Sequence, residues 1–178
     1  MKYDIIVVGG GPCGDVAAIR AAQLGKKVAV VERAEAGGVC LNWGGIPTKA
    51  LLKSAQVYNY CKSAEHYGLD FAGEVRPNLE KIVARSRGVA ETMNKGVLFL
   101  LKKNNVELIN GFAKLKGNGR IDVDGTEYEA DHIILATGAR PREMPFMPID
   151  GKHVISPKQA PVLPKPPATL LVVGPGDI

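Results

Sequence analysis

The chain has 178 residues, 46% apolar and 23% charged, with 21 Gly and 12 Pro. These shares fit a globular chain and exclude wholesale disorder or a collagen-like repeat, and no apolar run approaches the roughly 18 residues of a membrane span. The net charge of +5 is concentrated between Arg76 and Arg120, where ten Lys/Arg outnumber three Glu. Without regularly interleaved aromatic platforms, that segment reads as the solvated side of an amphipathic helix, so neither nucleic acid nor membrane is an expected partner.

Tyr3 to Val8 is a short, β-branched apolar run, as expected of a buried parallel strand and not of a signal peptide. Asp15 to Leu24 reads as a helix whose small residues Ala17, Ala18, Ala21 and Ala22 let it lie close on a sheet, and Gly25 stops it. Lys27 to Val31 is a second strand, ending at Glu32, so the chain opens with a β-α-β unit. Residues 33–46 form a glycine-rich loop, and Pro47 suits the first turn of a helix reaching about Ala64. After a loop from Gly68 to Pro77, Asn78 can cap a helix with apolar positions at Leu79, Ile82, Val83, Val89, Ala90, Met93, Val97 and Leu101.

Val106 to Ile109 reads as a strand, and Phe112 to Glu129 as small antiparallel strands turning at Gly117-Asn118-Gly119 and Asp124-Gly125. His132 to Ala136 is another buried strand. Eight of the twelve prolines then fall between Pro141 and Pro167, which marks a linker. Thr169 to Val173 reads as a last buried strand before Gly174-Pro175-Gly176-Asp177-Ile178. Cys13, Cys40 and Cys61 are too few and too odd in number for a secreted disulfide framework, so a reducing, cytoplasmic setting is expected.

Gly9-Gly10-Gly11-Pro12-Cys13-Gly14 is a G-x-G-x-x-G sequence between a strand and a helix, with Glu32 18 residues beyond Gly14 at the end of the second strand. In that context it is a dinucleotide fingerprint. Gly9 permits the tight turn, Gly11 lets backbone approach a pyrophosphate, and Gly14 lets helix and strand pack closely. Unpaired amides at the helix start hold phosphates. Glu32 can accept hydrogen bonds from ribose hydroxyls, which argues against a 2′-phosphate.

The second motif is Gly37-Gly38-Val39-Cys40-Leu41-Asn42-Trp43-Gly44-Gly45-Ile46-Pro47-Thr48-Lys49-Ala50-Leu51-Leu52. With the opening fingerprint, the Ala17–Gly25 stretch, Ala136-Thr137-Gly138 and the closing Leu-Leu-Val-Val-Gly run, it resembles the flavin-dependent pyridine nucleotide-disulfide oxidoreductases. Within them it is most similar to the dihydrolipoamide dehydrogenase group. The resemblance implies an α/β, Rossmann-like FAD-binding domain with a parallel sheet and small antiparallel crossover strands. It also implies bound FAD, NAD in the full-length enzyme, lipoyl groups of 2-oxoacid dehydrogenase complexes as partners, and a homodimer.

In that family the loop reads C-x-x-x-x-C, and its two cysteines cycle between disulfide and dithiol beside the flavin. Cys40 matches the first position; the second is Gly45, which can form no disulfide. The chain alone is therefore expected to be inactive with lipoamide. Soluble pyridine nucleotide transhydrogenases keep only the first cysteine and offer an alternative reading, and a non-catalytic nucleotide-binding piece offers another. Lys49 is implied to lie beside the flavin ring, where a fixed cation stabilises negative charge. The resemblance places Gly9, Gly11, Pro12, Gly14, Glu32, Arg33, Gly38, Val39, Cys40, Lys49, Ala113, Ala136, Thr137 and Gly138 at the cofactor.

None of His66, His132 and His153 has a glutamate at the spacing of the family's catalytic base, and no metal-ligand spacing occurs. The expected organisation is a first FAD-domain segment over 1–145, a Pro-rich linker over 146–168 and the start of an NAD-binding domain over 169–178, a truncated form of a longer enzyme.

Overall fold

The computed structural model describes residues 2–70 and 72–174. They divide into two units, Met1–Asn42 with Glu91–Ala139 and Trp43–Ala90 with Arg140–Ile178. The first unit is α/β. Its strands β1 (Lys2–Val8), β2 (Val28–Glu32), β3 (Glu107–Asn110), β4 (Ala113–Gly117), β5 (Arg120–Val123) and β6 (Thr126–Leu135) form one sheet in the order β3-β2-β1-β6-β5-β4. The pairs β3–β2, β2–β1 and β1–β6 are parallel, and β6–β5 and β5–β4 antiparallel. Helix α1 (Pro12–Gln23) makes the crossover from β1 to β2.

The alternation of side chains along β2 divides the core into two layers. Ala29 and Val31 join Tyr3, Ile6, Ile109, Ile121, Val123 and Ala130 on one face. Val28 and Val30 join Val7, Ala18, Ala21, Leu101 and Val106 on the other, where the small residues of α1 admit the helix to the sheet. This continuous burial of Val28–Val31 is the signature of a strand covered on both sides.

Two expected elements of the first unit differ. Residues 112–136 do not break into separate crossover and core strands: β6 is one strand of 10 residues, pairing with β5 at its start and with β1 from Glu129 to Leu135. Its length lets one backbone serve both the hairpin and the parallel ladder. Within the loop expected over 33–46, Gly38–Asn42 forms the short helix α2.

In the second unit, helix α3 (Gly45–Lys62) begins two residues before Pro47. Helix α4 (Leu79–Lys103) is capped as expected, the Lys81 amide donating to Asn78 Oδ1 at 3.0 Å; its residues from Glu91 onward belong to the first unit. Between 141 and 167 the chain forms only an isolated bridge, turns and a 3-10 turn at Ala160–Val162. The strand expected over 169–173 is absent. Leu170, Leu171, Val172 and Val173 are 60–86% exposed, because a strand exists only by pairing and no described residue pairs with these. Residues 175–178 of the closing glycine turn lie outside the described residues.

Candidate functional site

The turn between β1 and α1 is set by contacts only glycine tolerates. Gly9 has φ +109°, and a Cβ there would stand 2.1 Å from the Ala136 carbonyl oxygen. The Ala136 amide donates to Val8 O at 2.8 Å, and the Gly9 amide to Val31 O at 2.8 Å. The turn therefore sits where β1, β2 and β6 end together. This is how Ala136, expected at the cofactor from motif position, comes to touch the glycine loop. Thr137 and Gly138 follow as exposed residues.

Helix α1 starts at Pro12 with Gly11 as N-cap and no side-chain cap. The amides of Gly11, Cys13 and Gly14 have no carbonyl one turn earlier in the helix, and Pro12 has no N–H, so three donors remain at the positive end of the helix. A Cβ on Gly11 would meet only Gly38 Cα, at 3.9 Å, so space is open where backbone can approach a ligand.

Glu32, at the end of β2, is half-buried. It receives the Gly10 amide on Oε2 at 2.7 Å and the amides of Arg33 and Ala34 on Oε1, both at 2.8 Å. Its carboxylate is thus first a hub that shapes two loops; Oε1 has both lone pairs engaged, and Oε2 keeps capacity for a further donor. The Arg33 guanidinium lies 5.7 Å from the centre of the Phe112 ring, next to Ala113 at the start of β4. Gly111 donates to Glu32 O at 2.9 Å, which ties the end of β3 to the same corner.

The second glycine loop presses on the first. The Gly37 amide donates to Gly10 O at 2.6 Å. Gly38 has φ +57°, and a Cβ on it would stand 2.8 Å from Gly11 Cα. Asn42, buried at the end of α2, donates through Nδ2 to Ala36 O and Gly38 O, both at 2.9 Å. Asn94 on α4 donates to the same Ala36 oxygen at 2.6 Å. Val39 and Cys40 are exposed on α2. Within the first unit the structure therefore gathers Gly9, Gly11, Pro12, Gly14, Glu32, Gly38 and Ala136 around one turn.

The sequence reading missed Asn42, Asn94 and Asp15. Asn94 had a signal: with Ala90, Val97 and Leu101 it sits at helical spacing in an otherwise apolar stripe, where a polar residue implies a buried hydrogen bond. Asp15 is buried in the first turn of α1, and its Oδ1 has no hydrogen-bond partner. Burial raises its carboxyl above the usual carboxylate range, only partly offset by the Val16 amide.

Gly45 and Lys49 belong to the second unit. Gly45 is the first residue of α3, and Lys49 is exposed four residues on. The start of α3 is held by α4: Ser86, fully buried, donates to Pro47 O at 3.3 Å, and Arg85 Nη1 donates to Ala50 O at 2.8 Å. Trp43 has two cations beside its ring, Arg87 at 4.9 Å and Lys158 at 4.6 Å. Lys158 comes from the proline-rich stretch read as a linker. Cys13, Cys40 and Cys61 are all free thiols. Among the described residues no cluster of three His, Cys, Asp or Glu could hold a metal, and no helix is long and apolar enough to cross a membrane.

The family model described as pyridine nucleotide-disulphide oxidoreductase matches residues 3–178. The dihydrolipoyl dehydrogenase of Zymomonas mobilis is 52% identical, over 99% of this chain and 39% of its own length. Those of Rhizobium etli and Bacillus subtilis are 45% and 40% identical, each over 99% of this chain and 41% and 40% of their own lengths. The chain thus spans about two fifths of the length of the curated relatives it matches.

Proposed function

Since the chain belongs to the pyridine nucleotide-disulphide oxidoreductase family, we propose that it is the FAD-holding part of a dihydrolipoamide dehydrogenase. The parent activity is oxidation of dihydrolipoyl groups, with electrons passed to NAD+. One observation carries this reading: three unpaired helix-start amides open onto a cradle that a Cβ at Gly38 would fill, with Glu32 at the strand end beside it. The donor set fits a pyrophosphate, and the carboxylate fits a ribose without a 2′-phosphate.

When bound, FAD supplies a two-electron carrier between a thiol and a nicotinamide. The residues do the rest. Gly11, Cys13 and Gly14 bind the pyrophosphate through their amides, beside Pro12. Glu32 and Arg33 orient the adenosine end, with Ala113 near the adenine. Gly38, Val39, Ala136, Thr137 and Gly138 contribute backbone. Lys49 supplies positive charge for the ring. Cys40 is the thiol that exchanges with the lipoyl sulfur.

Residues 1–145 form the proposed FAD-domain segment, 146–168 the linker and 169–178 the opening of the NAD-binding domain. Lipoyl groups of 2-oxoacid dehydrogenase complexes, a homodimer and a cytoplasmic setting belong to the same proposal. Gly45 favours a second reading, hydride exchange between nicotinamide nucleotides without a thiol pair, as in soluble transhydrogenases.

Oxidising a dithiol to a disulfide releases two electrons and two protons, and an enzyme disulfide that accepts them needs two cysteines. We expect no dihydrolipoamide-dependent NADH formation from this chain, and three titratable thiols after denaturation. Gly45→Cys should give four cysteines but only two titratable thiols, because Cys40 and the new cysteine pair. Sustained lipoamide turnover by the unaltered chain, or four free thiols in the variant, would count against the reading. Thiol-independent exchange between nicotinamide nucleotides would favour the second one.

A further inference from the structure

We propose that Asn94 is a positioning residue for the phosphate cradle, acting through two successive peptide groups. The inference rests on the dinucleotide reading of that cradle. Asn94 lies 58 residues from Ala36 in sequence, yet its side-chain amide donates to the Ala36 carbonyl at 2.6 Å. That oxygen also accepts Asn42 Nδ2 at 2.9 Å, so both of its lone pairs are used and the peptide plane is fixed. The N–H of the same peptide belongs to Gly37, and it donates to Gly10 O at 2.6 Å. The N–H of the Gly10–Gly11 peptide is in turn the first of the helix-start donors.

The relay therefore runs from Asn94 through the Ala36–Gly37 peptide and the Gly10–Gly11 peptide to the donor that faces a phosphate. Hydrogen bonds in series polarise one another, so a donor at one end strengthens the N–H at the other. Planarity of each peptide carries orientation as well as charge. Asn94 touches no ligand in this scheme. Its role is to hold the Gly11 amide in direction and strength.

Asn94→Leu removes the donor at similar volume. We expect its Gly37 and Gly11 amide resonances to move and the Gly37 amide to exchange faster with solvent. We also expect affinity for FAD and for ADP to fall about tenfold, the order of one well-placed hydrogen bond, with adenosine affinity unchanged. If Asn94→Leu does not fold, Asn94→Asp serves, since it keeps the shape and exchanges the donor for an acceptor. Asn104→Ala deletes a different bond to a helix carbonyl, Leu100 O, and should move none of these readings.

Unmoved Gly11 and Gly37 amides in the variant, or equal weakening of ADP and adenosine, would overturn the relay. If the unaltered chain bound neither FAD nor ADP, the dinucleotide reading would fall. The two amide resonances would then decide the relay by themselves.

Discussion

Replacing Gly14 with alanine should lower the thermal unfolding midpoint by roughly 6–12 °C, the shift expected of about 3 kcal/mol in a chain of this size. It should also abolish FAD binding. A Cβ at this position would stand 1.8 Å from Gly9 O, 3.0 Å from Gly9 C and 3.2 Å from Val7 Cγ1. The first two contacts set a Cβ against backbone atoms, so no rotamer change relieves them, and α1 must lift from the turn it follows. That movement separates the helix-start amides from the strand ends that aim them. The same substitution at Gly96, inside α4 with nothing within 4 Å of its Cβ, should instead stabilise by about 1 kcal/mol, because alanine restricts the unfolded chain and favours helix. Opposite signs for one chemical change, read by thermal melts of both variants, separate close packing from a general intolerance of alanine.

Glu32→Ala should cost about 2 kcal/mol of stability and weaken FAD by about a hundredfold. Three amides, those of Gly10, Arg33 and Ala34, lose their acceptor at once. The amide of buried Gly10 then has no acceptor in the cradle. Glu32→Gln keeps the volume and one acceptor oxygen but points an NH2 group at a backbone N–H, so it should fall between alanine and the native residue. Titration calorimetry with FAD and with ADP checks both variants. Equal affinities in Glu32→Ala and the unaltered chain would mean that the carboxylate shapes only the loops.

Much of this was legible in the residues. The fingerprint lies in a β-α-β unit because its context constrains it: a strand, three spaced glycines and an acid at the next strand end. Steric geometry makes Gly9 and Gly14 obligatory, and the sequence spacing reports that geometry directly. The double role of Glu32 was not legible. A carboxylate two methylenes from its backbone can reach its own loop, and only folded coordinates show Oε1 and Oε2 already holding amides. Asn94 was visible only as a polar break in an apolar stripe, since its partner lies 58 residues away.

The helix α2 was hidden inside a glycine-rich segment because glycine has low helix propensity; Asn42, bonded back to Gly38 O, is one of the contacts that hold the turn. The apolar run 169–173 misled for the opposite reason. Its composition suits a strand, but β-propensity expresses fit to neighbours, and none of the described residues supplies one. Cys40 and Gly45 were legible as a broken pair only through the resemblance to the family's C-x-x-x-x-C loop, since one cysteine and a glycine imply no pair by themselves.

The central claim is that the two glycine loops form a working pyrophosphate cradle, and an equilibrium titration of FAD into the purified chain tests it most directly. Followed by the flavin absorption bands, the titration should show saturable binding of one FAD per chain, competed by ADP and lost in Gly14→Ala. No saturable binding, or the same affinity in Gly14→Ala as in the unaltered chain, would contradict it.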